Sequence, residues 1–159
     1  MSGASPCIAA SLRAAGRKLT QFYDAVMADA GLRVTQYSIL NELARHETPP
    51  TMGELAKALV MERSALGQTL RPLERDGLIE FRRDAADGRR RPVFLTHAGR
   101  EAIAKAEPLW RRAQDAFVAS FGVEQSAALR ETLNGIANSN QVAADHRYPQ
   151  VHPQPQKQE

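Results

Sequence analysis

The stretch from Glu62 to Gly77 constrains this chain more than any other. On a helix running from about Glu62 to Asp76, Leu66, Leu70 and Leu73 share one face, while Ser64, Gln68, Arg71 and Arg75 line the opposite one. The leucines demand burial and the polar line is presented outward. Gly77 stands where a left-handed C-cap is expected. Pro72 removes a backbone donor near the helix end, so a kink in the last turn is expected. Beyond Gly77 the pattern changes to Leu78-Ile-Glu-Phe-Arg-Arg83, a turn-rich stretch, then Pro92-Val-Phe-Leu95. That order reads as a β-hairpin with Asp87-Gly88 at its tip.

Other helices are needed to cover those leucines, and the flanking segments provide them. Ser5 followed by Pro6 reads as an N-cap with proline at the first helical position. Ile8, Leu12, Ala15, Leu19, Phe22 or Tyr23, and Val26 then keep helical spacing until Gly31. A second helix follows Thr35 and stops before Pro49-Pro50, and Thr51 with Glu54 forms a capping box that starts a short third helix through Leu55, Leu59 and Val60. After the hairpin, Thr96 caps a long fifth helix carrying Ile103, Trp110 and Phe117, with a kink or break expected at Pro108. Gly122 separates a sixth helix, about Glu124 to Ala144, and the proline- and glutamine-rich residues from His146 onward predict a disordered tail.

The expected fold is mainly α with a small β-hairpin wing, an α+β winged helix-turn-helix flanked by long dimerisation helices. The expected division is an N-terminal dimerisation helix in 1–34, a winged unit in 35–100, C-terminal dimerisation helices in 101–145 and a tail in 146–159. The first, fifth and sixth helices carry apolar stripes yet lie outside the winged unit, so their stripes need a partner. A second copy of the chain supplies one, and folding back on the winged unit as a monomer is the alternative.

Composition narrows the function. The chain has 159 residues, 43% hydrophobic and 25% charged, which suits one globular unit. No apolar run is long enough to span a membrane and no positive region precedes an apolar stretch, so a cytoplasmic protein is expected. A single cysteine excludes an internal disulfide, and His46, His97, His146 and His152 have no metal-ligand spacing. No metal, cofactor or catalytic residue is predicted, since no nucleophile elbow, phosphate loop or paired carboxylate motif occurs. Five arginines against Asp84 and Asp87 between Arg82 and Arg91 leave an excess of three positives, equal to the net +3 of the whole chain.

Three helices followed by a basic hairpin is the order of a winged helix-turn-helix, whose last helix enters the DNA major groove. Ser64 can bond phosphate or a base edge, Gln68 matches adenine, and Arg71 reaches guanine or phosphate. Arg89 at the hairpin tip suits a narrow minor groove, with Asp87 to hold it in register. Use of the same winged helix for protein contact, without specific DNA binding, is the competing reading. Met61-Glu-Arg-Ser-Ala-Leu-Gly-Gln-Thr-Leu-Arg-Pro-Leu-Glu-Arg-Asp-Gly-Leu-Ile79 resembles the recognition helix of the multiple antibiotic resistance regulator (MarR) family. Asp87-Gly-Arg89 with Phe94-Leu-Thr-His-Ala-Gly-Arg100 resembles that family's wing and the start of its fifth helix. The resemblance implies a homodimeric regulator, usually a repressor, on a double-stranded operator. It assigns Arg89 to the minor groove and places Arg63, Ser64 and Gln68 as the early recognition-helix residues that meet DNA. Pro72 and Gly67 depart from the family pattern, which often has a basic residue and threonine there.

The resemblance further implies a pocket for a small aromatic or phenolic effector. Phe22, Tyr23, Tyr37, Trp110 and Arg111 are the candidates to line it, with plain core packing as the alternative. Cys7 is the candidate redox sensor. With Ser5 as N-cap it would be the second helical residue, where free amides and the helix dipole lower a thiol pKa, and an inert cysteine is the alternative.

Overall fold

A computed structural model describes residues 7–83 and 91–139. In these the chain runs as α1 (Ile8–Met27), α2 (Val34–Arg45), α3 (Met52–Ala58), α4 (Arg63–Arg75), β1 (Ile79–Phe81), β2 (Val93–Leu95), α5 (His97–Phe121) and α6 (Val123–Asn138). The expected mainly helical fold with a small hairpin is what forms. Contacts divide the chain into two compact units, the first reaching Ser120 and the second beginning at Phe121.

The core of the first unit is assembled from every element up to β2. Met27, Ile39, Leu40, Leu55, Leu66, Leu70, Leu73, Ile79 and Val93 are fully buried. Burying a side chain of this size contributes roughly 1.5 to 3 kcal/mol, so α4 is fixed mainly by its three leucines. From α5, Ala106 joins the same core, with Ile103, Leu109 and Trp110 packed against it. Here the structure corrects the expectation that the α5 stripe lies outside the winged unit. Ile103 and Trp110 are partnered within the chain itself.

Helix boundaries follow local hydrogen bonds. Cys7, with extended backbone (φ −82, ψ 110), is the N-cap of α1, and its carbonyl accepts from Ser11 N at 3.0 Å. It is therefore not the second helical residue, and the expected Ser5 cap and Pro6 lie outside the described residues. α1 stops at Met27 because a 3-10 turn, Ala28–Ala30, tightens the chain and Gly31 closes it in the left-handed region (φ 74). α2 starts at Val34, earlier than Thr35 suggested. Asp24 Oδ1 accepts from Val34 N (2.8 Å) and Gln36 Oε1 from Arg33 N (2.9 Å), which satisfies amides that would otherwise be orphaned. The Thr51 capping box forms as expected, with Glu54 Oε2 accepting from Thr51 N at 2.7 Å and Thr51 Oγ1 from Glu54 N at 3.3 Å. α3 ends at Ala58, short of the Leu59 and Val60 assigned to it by sequence, because Val60 turns left-handed.

α5 continues through Pro108 as one helix, so the break among the expected outcomes does not occur. Proline removes one ladder bond, but neighbouring residues on both sides of it are anchored in the core, and that anchoring outweighs the loss. α6 ends at Asn138, short of Ala144. The expected tail from His146 lies outside the described residues.

In the hairpin, Ile79 pairs with Leu95, Glu80 with Phe94 and Phe81 with Val93, antiparallel. Ile79 and Val93 go into the core, so alternation places Glu80 and Arg82 on the outer face. A single bridge from Thr51 to Pro92, with Val93 N donating to Pro50 O at 2.8 Å, ties the second strand to the start of α3.

Candidate DNA-binding surface

α3 and α4 are joined by a tight turn. Met61 N bonds Ala56 O at 2.9 Å and Val60 N bonds Lys57 O at 3.2 Å, the paired bonds of a Schellman ending with Val60 (φ 51) in the left-handed position. Gly77 closes α4 the same way (φ 72), as its sequence position predicts. Between these ends α4 is two-sided. Leu66, Leu70 and Leu73 are buried, and Ser64, Gln68, Arg71 and Arg75 are exposed.

The exposed line is not uniform. Arg75 is taken up by Asp76, with Nε 2.9 Å from Oδ1. The Arg63 guanidinium lies over the first turn of α3, 3.9 Å from where a Cβ on Gly53 would stand, which glycine leaves clear. Ser64, Gln68 and Arg71 remain, side chains with donors and acceptors and no protein partner among the described residues. A row of this kind on a convex helix, next to a hairpin, has the shape and chemistry of a major-groove reader. Pro72 sits within α4, which continues to Arg75. Asp87 and Arg89, predicted for the wing tip, lie outside the described residues.

The sequence profile of the MarR family matches residues 30–90. The transcriptional regulator MosR of M. tuberculosis, solved in complex with DNA, is 34% identical, with a TM-score of 0.76 over 89% of this chain and 99% of that one. The chain belongs to the MarR family. It is a DNA-binding transcriptional regulator, which decides for DNA over the protein-contact reading of its winged helix. Two further relatives in the same functional class are less similar. The transcriptional repressor CouR of Rhodococcus jostii, bound to a 23-mer DNA duplex, is 26% identical with a TM-score of 0.74, over 82% of this chain and 92% of that one. The transcriptional regulator HosA of Escherichia coli is 27% identical over 106 residues, 65% of this chain and 76% of HosA.

In this MarR-family chain the five candidate effector residues fall into two clusters, each spanning α5. Tyr37 on α2 is buried, its ring centroid 5.9 Å from that of Trp110. Glu107 and Arg111 form an ion pair at 2.5 Å on the same stretch of α5. Burial pushes the Tyr37 phenol above its ordinary pKa, and Glu107 pushes the same way, while Arg111, Arg45 and a hydrogen bond with Asn41 oppose them. In the second cluster Tyr23 donates to Gln114 Oε1 at 2.6 Å and meets the Phe22 ring edge-on at 5.6 Å. None of the five lines the open grooves beside α2, which are formed by Arg33, Thr35, Gln36, Thr69 and Pro72 and by Gln21, Asp24, Ala28 and their neighbours. Cys7 is exposed at the start of α1.

One arrangement in the wing escaped the sequence reading. Arg82 lies over the Phe94 ring with Cζ 4.6 Å from the centroid, and its guanidinium is bonded to Glu80. The signal is present as the alternation of Glu80 and Arg82 opposite Phe94, but it emerges only once the strand register is known.

Proposed function

We propose that this regulator is a homodimeric repressor that holds a pseudo-palindromic operator and releases it when a small aromatic compound binds. The observation that carries the DNA-reading part is the row of Ser64, Gln68 and Arg71, exposed on α4 and without a partner among the described residues. The repressor role is favoured by the likeness to CouR. Dimerisation through α1, α5 and α6 is supported by exposed apolar side chains at the start of α1 and along α6. Ile8 is 74% exposed, and Leu12, Leu133 and Ile136 are each more than a third exposed. In this proposal the functional regions are those expected from the sequence: dimerisation segments at both ends and the winged unit between them.

For the effector, Tyr37 and Trp110 offer aromatic faces and Arg111 a cation for a carboxylate, which fits an aromatic acid. Entry of such a compound would separate α2 from α5 and thereby shift the winged unit. Thiol modification is the second route to release, favoured by the exposure of Cys7. Arg89 and Asp87 belong to the wing contact in this reading, and Arg63 to the approach of α4.

The test is selection of bound duplexes from a randomised library, followed by fluorescence anisotropy with the selected duplex. A palindromic consensus, with release by an aromatic acid that Trp110→Leu abolishes, is expected. Peroxide release that persists in Cys7→Ser would remove the thiol route. A selection that enriches no sequence would overturn the operator reading.

A further inference from the structure

We infer that Arg82 is a preset phosphate clamp at the root of the wing, seated on Phe94 and held by Glu80. This rests on the DNA-binding reading and adds a positioning residue to it. β1 alternates so that Ile79 and Phe81 face inward while Glu80 and Arg82 face outward, and Phe94 stands across from Glu80 in the register. The three side chains therefore meet on the outer face of the hairpin. The Arg82 guanidinium is 4.6 Å from the Phe94 ring centroid, close enough for a cation–π contact, and it hydrogen-bonds Glu80 through Nη2.

The consequence is a cation whose position is set before any ligand arrives. A free surface arginine loses rotamer entropy when it is captured; one already stacked and bonded loses much less. The Arg82 side chain is still 58% exposed and Glu80 uses only one edge of its fork, so among the described residues its remaining N–H donors are open to an incoming oxyanion. Glu80 has a second effect. Its carboxylate holds the guanidinium but lowers the local positive potential, so the pair trades raw attraction for a fixed geometry. A phosphate of the duplex backbone, flanking the bases met by α4, is the ligand this geometry fits.

The experiment uses the full-length protein and the duplex recovered by selection, with anisotropy titrations over a series of KCl concentrations. Arg82→Ala is expected to weaken binding several-fold and to reduce the slope of log affinity against log salt by about 2 per dimer, one phosphate from each protomer. Arg82→Lys keeps the charge, so the slope should stay while affinity falls. Phe94→Leu should act like Arg82→Lys, because the cation remains but loses its seat. Glu80→Gln should raise affinity a few-fold. Thermal melts identify any variant that fails to fold; if Arg82→Ala is one, the Arg82→Lys and Glu80→Gln results decide. Wild-type salt slope and affinity in Arg82→Ala, or wild-type affinity in Glu80→Gln, would overturn the clamp. Failure of the unmodified protein to bind any duplex would instead defeat the DNA-binding reading.

Discussion

Val60 holds a backbone conformation, φ 51, in which its branched Cβ crowds the following carbonyl. Two backbone bonds across the turn keep it there, and the residue is 64% exposed, so packing does not repay the strain. Val60→Gly is therefore expected to stabilise the chain by up to about 1 kcal/mol, read as a higher urea midpoint with an unchanged slope. Gly99 is the opposite case. A Cβ there would stand 2.2 Å from the Leu78 carbonyl oxygen and 2.6 Å from Leu95 Cδ1, and backbone on that side leaves no room to give. Gly99→Ala should cost about 2 kcal/mol or more, visible as a lower melting temperature. Tyr37 adds a pH dependence. Its folded-state pKa is raised, mainly by burial, so the stabilisation is fully present below the ordinary value of 10.0 and is lost as pH rises through the folded value. Stability measured on the alkaline side of pH 10 should fall more steeply in the parent than in Tyr37→Phe, and parallel curves would show that the phenol does not couple to folding.

At the level of elements, α4 buries one face and exposes the other, so the DNA reading proposed for it can be tested apart from stability. Leu70→Ala should lose roughly 2 to 5 kcal/mol of stability, whereas Gln68→Ala should leave the melting temperature alone and cost about 1 to 3 kcal/mol of base discrimination in each half-site. Titrations on the selected duplex and on one with a changed half-site would separate the two effects. This division is legible in the sequence, since spacing alone puts Leu66, Leu70 and Leu73 opposite Ser64, Gln68 and Arg71. The capping box at Thr51 and the glycine at 77 are legible for the same reason: their partners lie within a few residues. The start of α2 is hidden because the acceptor for Val34 N is Asp24, ten residues back on another helix. The unbroken course of α5 through Pro108 is hidden too, because local chemistry argues for a break and only tertiary burial of Ala106 and its neighbours argues against it. Likewise, periodicity shows which face of α5 is apolar but not that Ile103 and Trp110 find cover in the same chain.

For the whole molecule, the apolar side chains that remain uncovered determine what to expect of assembly. Ile8 and Leu12 on α1 and Leu133 and Ile136 on α6 are exposed in the single chain. The protein should sediment as a dimer at micromolar concentration, and Leu12→Asp combined with Ile136→Asp should yield a folded monomer of much reduced DNA affinity. A double variant that stays dimeric would move the interface elsewhere. Two copies of α4 related by a two-fold axis should meet the major groove about one helical turn apart, roughly 34 Å, so half-site spacing in the selected duplex offers an independent check.

The hydroxyl of Thr96 donates to Gly77 O at 2.7 Å and accepts from Gly99 N at 3.0 Å. One side chain thus closes the end of α4 and opens the start of α5, while its own backbone N bonds Leu78 O at 3.1 Å. Mechanically this is a shared pivot: Thr96, at the start of α5, is hydrogen-bonded directly to the glycine that closes α4. Thr96→Val removes both hydroxyl bonds while keeping the shape, and it should loosen this joint, seen as faster amide hydrogen exchange at Gly99. A displacement of α5 is then expected to reach α4 attenuated, so under the proposed release mechanism the variant should keep its duplex at effector concentrations that free the parent.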